Sequence, residues 1–166
     1  TGGLGWSFKN LPLQPQAWLY YDYASGDRNP GLDGTHRTFN QLFPFGHYYF
    51  GQMDLVARQN IHDLNAHLYF YPTPWITTIL QYHVLRLDEA KDALYNAAGG
   101  VLRQDPTGAS GTNVGQILDL VVNFHLTNHS DVYVQYSHLY AGDFIRESGS
   151  TTTGSFRSPD YLYLQY

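Results

Sequence analysis

Residues 115–126 read GQILDLVVNFHL, from Gly115 to Leu126. Leu118, Leu120, Val122, Phe124 and Leu126 fall on every second position, with Asp119, Asn123 and His125 between them. Side chains on a strand alternate faces with period two, so this ribbon is apolar on one side and polar on the other. The pattern recurs upstream, where Leu64, Ala66, Leu68 and Phe70 alternate with Asp63, Asn65 and His67. From Gln16 to Tyr23 the apolar set is Ala17, Leu19, Tyr21 and Tyr23, opposed by Gln16, Trp18, Tyr20 and Asp22. From Asp131 to Tyr140, Val132, Val134 and Tyr136 oppose Tyr133, Gln135 and Ser137.

The connections between these ribbons are sorted by length. Short ones fall at 10–15, 72–74 and 127–130, rich in Pro, Asn and Ser. Long polar ones fall at 24–46, 88–113 and 141–159. The two kinds alternate, which places short turns at one end of the strands and long loops at the other. Membrane β-barrels are built this way, with short turns on one side and long loops on the other. A sandwich has no reason to sort its loops so. Gly5–Lys9, Gln16–Tyr23, Ile61–Tyr71, Trp75–Leu87, Val114–Leu126, Asp131–Tyr140 and Asp160–Tyr166 read as strands. His47–Arg58 reads either as a further strand or as a short helix over the mouth. Tyr69, Phe70, Tyr71 and Trp75 crowd one short turn, as an interfacial aromatic girdle requires. The expected fold is all-β: an antiparallel up-and-down transmembrane β-barrel, or an arc of a larger one. An unpaired edge is not tolerated in hydrocarbon, and this favours the arc.

Composition agrees. In 166 residues, 43% are hydrophobic and 16% aromatic, including 15 Tyr. Mean hydropathy is nevertheless −0.36. No apolar run approaches the roughly 18 residues of a membrane helix, whereas a barrel strand needs an apolar residue only at alternate positions. A Tyr-rich soluble sandwich that binds carbohydrate is the competing reading of the composition. Cysteine is absent, which excludes disulfides and thiolate metal sites. Net charge is −5 with scattered basic residues, so no nucleic-acid partner is expected. The segment Thr1-Gly2-Gly3-Leu4-Gly5 carries neither an initiator Met nor a signal peptide, and reads as a processed end or the start of an excerpt. The domain assignment is one barrel domain over 1–166, or the C-terminal part of one.

The inward polar set is Asp22, Asp63, Asn65, His67, Gln81, His83, Asp119, Asn123, His125 and Gln135. It is the candidate pore lining, where charge and hydrogen-bonding capacity tune solute choice. As a structural alternative, it is a network that braces the barrel. Arg28, Arg37, Arg86, Arg103 and Arg146 lie in or near the long loops. They form either a basic ring for acidic sugars or solvated charges balanced by nearby Asp. The Asp27, Asn29 and Asp33 cluster offers hard oxygens but no EF-hand spacing, and reads as a turn cluster. Eight His accompany no metal, nucleophile-elbow or P-loop motif. No cofactor, metal or catalytic residue is assigned, and an outer-membrane hydrolase is the residual enzymatic reading.

Several segments carry a family resemblance: Asp22-Tyr23-Ala24-Ser25-Gly26-Asp27, Phe39-Asn40-Gln41-Leu42-Phe43-Pro44 and Gln59-Asn60-Ile61-His62-Asp63-Leu64. So do Lys91-Asp92-Ala93-Leu94-Tyr95-Asn96, Val114-Gly115-Gln116-Ile117-Leu118-Asp119-Leu120, Tyr136-Ser137-His138 and Gly142-Asp143-Phe144. Together, in this order, they resemble the bacterial alginate-export porin family of outer-membrane barrels. The resemblance implies a single-chain barrel with more strands than this chain holds, matched at its C-terminal portion, in the bacterial cell outer membrane. It implies a passive channel for a hydrophilic solute, an anionic sugar or oligosaccharide being the family's kind. The archetype lines its pore with basic residues, whereas the inward faces here carry Asp and His. The pore therefore transfers more securely than the alginate. Expected partners are the lipid bilayer, a small hydrophilic or anionic saccharide, and a remaining barrel segment or partner protein. The competing function is a non-conducting barrel that anchors or sheathes a partner.

Overall fold

The computed structural model describes residues 1–47, 49–150 and 158–166. Seven strands form one antiparallel sheet. They are β1 (Gly2–Ser7), β2 (Gln16–Ala24), β3 (Ile61–Thr73), β4 (Ile76–Arg86), β7 (Asn113–Thr127), β8 (Ser130–Ala141) and β10 (Asp160–Gln165). Their spatial order, β1-β2-β3-β4-β7-β8-β10, follows the chain with every neighbour antiparallel. The sheet is up-and-down and open, with β1 and β10 at its two edges: an arc of barrel wall.

Period-two patterning decides which way each residue points, and cross-strand register assembles the alternating residues into rows. On one face Ala17, Leu68, Leu80, Leu120, Tyr136 and Leu162 lie in one row from β2 to β10. Among the described residues no other element covers this bare face, and its large apolar residues are exposed, Leu120 at 42% and Leu162 at 75%. A sandwich would bury this face against a second sheet. Aromatic side chains border it: Trp6, Trp75 and Phe124 toward the short turns, Tyr21, Tyr23, Tyr82 and Tyr140 toward the long loops. Of the residues expected in a girdle around the turn at 72–74, Tyr69 departs. It has the parity of His67, whose ring centroid lies 6.3 Å away, on the opposite face.

That opposite face is covered. The long loops hold structure the sequence reading left irregular: a hairpin of β5 (Ala93–Tyr95) and β6 (Val101–Gln104), a one-turn helix α1 (Asp143–Glu147), and β9 (Gly149–Ser150), which joins β6. Residues 151–157 of the third long loop lie outside the described residues. Leu94, Phe144 and Ile145 pack with Phe50 and Val56 onto Ala24, Ile61, Leu85, Ile117 and Leu139 of the sheet. Met53, Leu55 and Leu102 flank this core. It sits at the long-loop end of the covered face. Fully burying such a side chain is worth about 1.5–3 kcal/mol, so apolar burial folds the loops down onto the wall.

Segment 47–58, of which Tyr48 lies outside the described residues, is neither of the forms expected of it. Among its described residues there is no strand and no helix. It runs as an irregular strap over the covered face, bent by positive φ at Gly51 (85°) and Asp54 (55°). A Cβ on Gly51 would lie 3.1 Å from Ile117, so a glycine lets the strap approach the wall this closely.

Candidate functional site

The ten residues expected to face inward all share the parity of the covered face, and their environment grades along the strands. Nearest the long loops is the apolar core. Below it comes a belt of buried polar side chains. Asn123 and His125 lie at the short-turn end, only half-buried, where both approach Asp131 (3.3 and 3.0 Å) and His125 also meets Thr77 Oγ1 at 3.0 Å.

The belt is assembled by register. Trp18, His67, Gln81, Asp119, Ser137 and Tyr161 form one continuous row across β2, β3, β4, β7, β8 and β10. The next row toward the long loops contains Tyr20, Asn65, His83 and Ile117. Asp63, Gln81, His83 and Asp119 are fully buried. A buried carboxylate needs a charged or hydrogen-bonding partner. Asp63 Oδ2 accepts from Asn65 Nδ2 at 2.8 Å and lies 2.8 Å from His83 Nδ1. His83 Nε2 lies 4.0 Å from Asp119 Oδ2, so one imidazole stands between two carboxylates. Asp22 is directly opposite Asp63 across the β2–β3 pair, an unfavourable juxtaposition for like charges. Arg58 relieves it, its Nη1 lying 2.9 Å from Asp22 Oδ1.

The strap closes over this belt through Gln52. Its backbone N–H donates to Asp119 Oδ2 (3.2 Å) and its amide donates to Gln81 Oε1 (3.3 Å). Its side-chain oxygen Oε1 accepts from Tyr133 O–H at 3.3 Å. On β8, Gln135 Nε2 donates to Ser137 Oγ at 3.0 Å. Asp63 Oδ1, Gln81 Nε2, His83 Nε2 and Asp119 Oδ1 carry no hydrogen-bond partner among the described residues. Among the described residues, such a belt is a buried hydrogen-bonding network that ties the strap to the wall.

The five loop arginines do not converge. Arg28 lies 3.4 Å from Glu89, Arg37 pairs with Asp33 at 2.8 Å, and Arg146 contacts Asp143 and the Ala141 carbonyl. Arg103, buried in β6, donates to the Ser148 carbonyl at 2.7 Å, and burial lowers its pKa. Arg86 ends β4 on the bare face. The hydrogen bond from Arg37 holds the Asp33 carboxyl below its usual pKa. Asp27 Oδ1 accepts the Asn29 N–H, a turn geometry. Among the described residues no group of three or more His, Asp or Glu could hold a metal ion.

Reading the sequence missed Gln52 and Arg58, which belong to a strap with no periodicity. It also left Ser137 out of the candidate lining, although the period-two step from Gln135 marks it.

The chain belongs to the alginate export family, whose model matches residues 1–157. No protein of curated function matches it.

Proposed function

We propose that this chain forms part of the wall of a channel in the bacterial outer membrane, through which a hydrophilic solute diffuses passively. The solute class is an anionic sugar or oligosaccharide. One observation carries the reading: the sheet is inside-out relative to a soluble protein. Leu19 and Leu64 on the bare face are 55% and 48% exposed, whereas Asp63, His83 and Asp119 on the other face are 0% exposed. Apolar surface on this scale is stable against lipid, and polar side chains confined to the opposite face are the arrangement of a membrane-barrel wall. Membership of an alginate export family supports the same reading and fits no catalytic role. Planar-bilayer recording on the purified protein tests it. Discrete conductance steps, reduced by an alginate oligosaccharide, are expected, and an intact barrel that never conducts would overturn the proposal.

A second reading, a non-conducting barrel that anchors or sheathes a partner, is favoured by the strap and loops lying on the covered face. The same recording separates the two.

A further inference from the structure

We infer that the cavity lined by Phe39, Phe43, Phe45, Tyr49, Phe50 and Arg58 is a docking subsite for one carboxylate-bearing sugar unit, linked through the Arg58–Asp22 ion pair to an aromatic pair on β2. This inference rests on the channel reading above and locates where such a channel meets its anionic solute. The polar belt lies buried beneath the strap, so the carboxylate is met elsewhere.

The cavity encloses about 430 Å³, within the size range of small-molecule sites. Phe39, Phe43, Phe45, Tyr49, Phe50 and Arg58 line it. Phe43 is 89% exposed and Phe45 71%, so these rings are held at the surface rather than in the core. A pyranose presents apolar C–H faces and a polar rim; aromatic surfaces accept the first, and a planar guanidinium binds a carboxylate on the rim bidentately. Arg58 is prepared for this. Its Cζ lies 5.1 Å from the Phe50 ring centroid and 5.8 Å from that of Tyr49, which fixes the guanidinium plane. Among the described residues, its side-chain hydrogen bonds and ion pair, to Thr1 and Asp22, all leave from Nη1. The Nε and Nη2 donors are thus left for a ligand.

Below Arg58, the alternate residues of β2 on the covered face are Asp22, Tyr20 and Trp18. The Trp18 and Tyr20 rings are stacked, with centroids 5.6 Å apart and planes within 5°. They lie over Gly5 and Gly3 of β1, where an added Cβ would come within 2.1 and 2.2 Å of the rings. Side-chain-free positions on β1 therefore leave room for two stacked aromatic rings on β2.

Calorimetric titration of the full protein in detergent with an alginate trisaccharide tests the inference, with neutral maltotriose as control. The acidic trisaccharide should bind, and Arg58→Gln should weaken it roughly tenfold, the scale of one charge-assisted hydrogen bond. Phe43→Ala, at a ring with little packing to lose, should weaken it without disturbing the fold, as checked by heat-dependent gel mobility. Unchanged affinity in the folded Phe43→Ala protein, or maltotriose binding as tightly as the acidic sugar, would overturn the subsite. Conductance without this variant dependence sinks the subsite and leaves the channel. Variant-dependent binding in a protein that never conducts does the reverse.

Discussion

Gly5 has no side chain because Trp18 occupies the space a Cβ would need. Gly5→Val should expel the indole from its stack with Tyr20. Overpacking of this kind costs about 1–3 kcal/mol, and near-ultraviolet circular dichroism and thermal unfolding would register it. Tyr95 supplies a pH probe. Burial first, and then the hydrogen bond it donates to Asp92 Oδ1 (2.8 Å), raise its pKa to about 12. The neutral phenol is thus preferred in the fold. Its contribution to stability is fully present below pH 10, the ordinary tyrosine value, and is lost as pH rises toward about 12. The tyrosinate absorbance difference between wild type and Tyr95→Phe should accordingly appear late in an alkaline titration; ionisation near the ordinary value would show the phenol to be solvated. Leu120 and Asn123 test the two faces. Leu120→Arg puts a charge on the bare face, at a cost of about 2–4 kcal/mol near a bilayer midplane, and should block assembly into lipid vesicles. Asn123→Arg should assemble normally and shift ion selectivity. Equal tolerance of both changes would mean the faces are wrongly assigned and the bare one does not meet hydrocarbon.

At the scale of elements, the long loops are stitched to one another by single carboxylates. Asp92 accepts from four donors: Asp27 N–H (2.9 Å), Thr38 O–H (2.6 Å), Ala93 N–H (2.7 Å) and Tyr95 O–H (2.8 Å). Asn60 adds to the latch, its amide donating to the Ala93 carbonyl at 2.9 Å and its oxygen accepting the Glu89 N–H at 2.8 Å. Asp92→Ala strands buried donors at about 1–3 kcal/mol apiece. Limited proteolysis should then cut loop 24–40 faster while the strands stay protected, and an unchanged cleavage rate would mean the latch is redundant. The strands were legible in the sequence because burial on one face imposes period two, which is why residues 16–23 and 115–126 could be placed on both faces. The strap was not. Its path is set by distant partners (Asp119, Gln81 and Tyr133) and by backbone bends at Gly51 and Asp54, none of which leaves a periodic trace. The hairpin of β5 and β6 and the one-turn α1 were hidden for a similar reason: each is too short to show a period and is held by the core beneath it.

For the whole molecule, the sorting of connections by length was enough to give successive strands opposite directions, and the pairing order β1-β2-β3-β4-β7-β8-β10 agrees with it. The candidate lining was legible as one face but not as three zones. Where the apolar core ends and the polar belt begins depends on how far the loops reach down the wall, a tertiary outcome. Arg58 shows the same limit, since its pairing with Asp22 joins positions far apart in sequence.

The strap also carries Met53, the single sulfur atom of a chain without cysteine. It is partly buried against the loop core. An isotopically enriched thioether methyl would therefore give one magnetic-resonance signal, from the very segment that lies across the wall. Peroxide that converts it to the sulfoxide would set a polar group against that core and prise the segment loose. The chain thus contains its own reporter, and its own chemical trigger, for whether the covering segment stays in place.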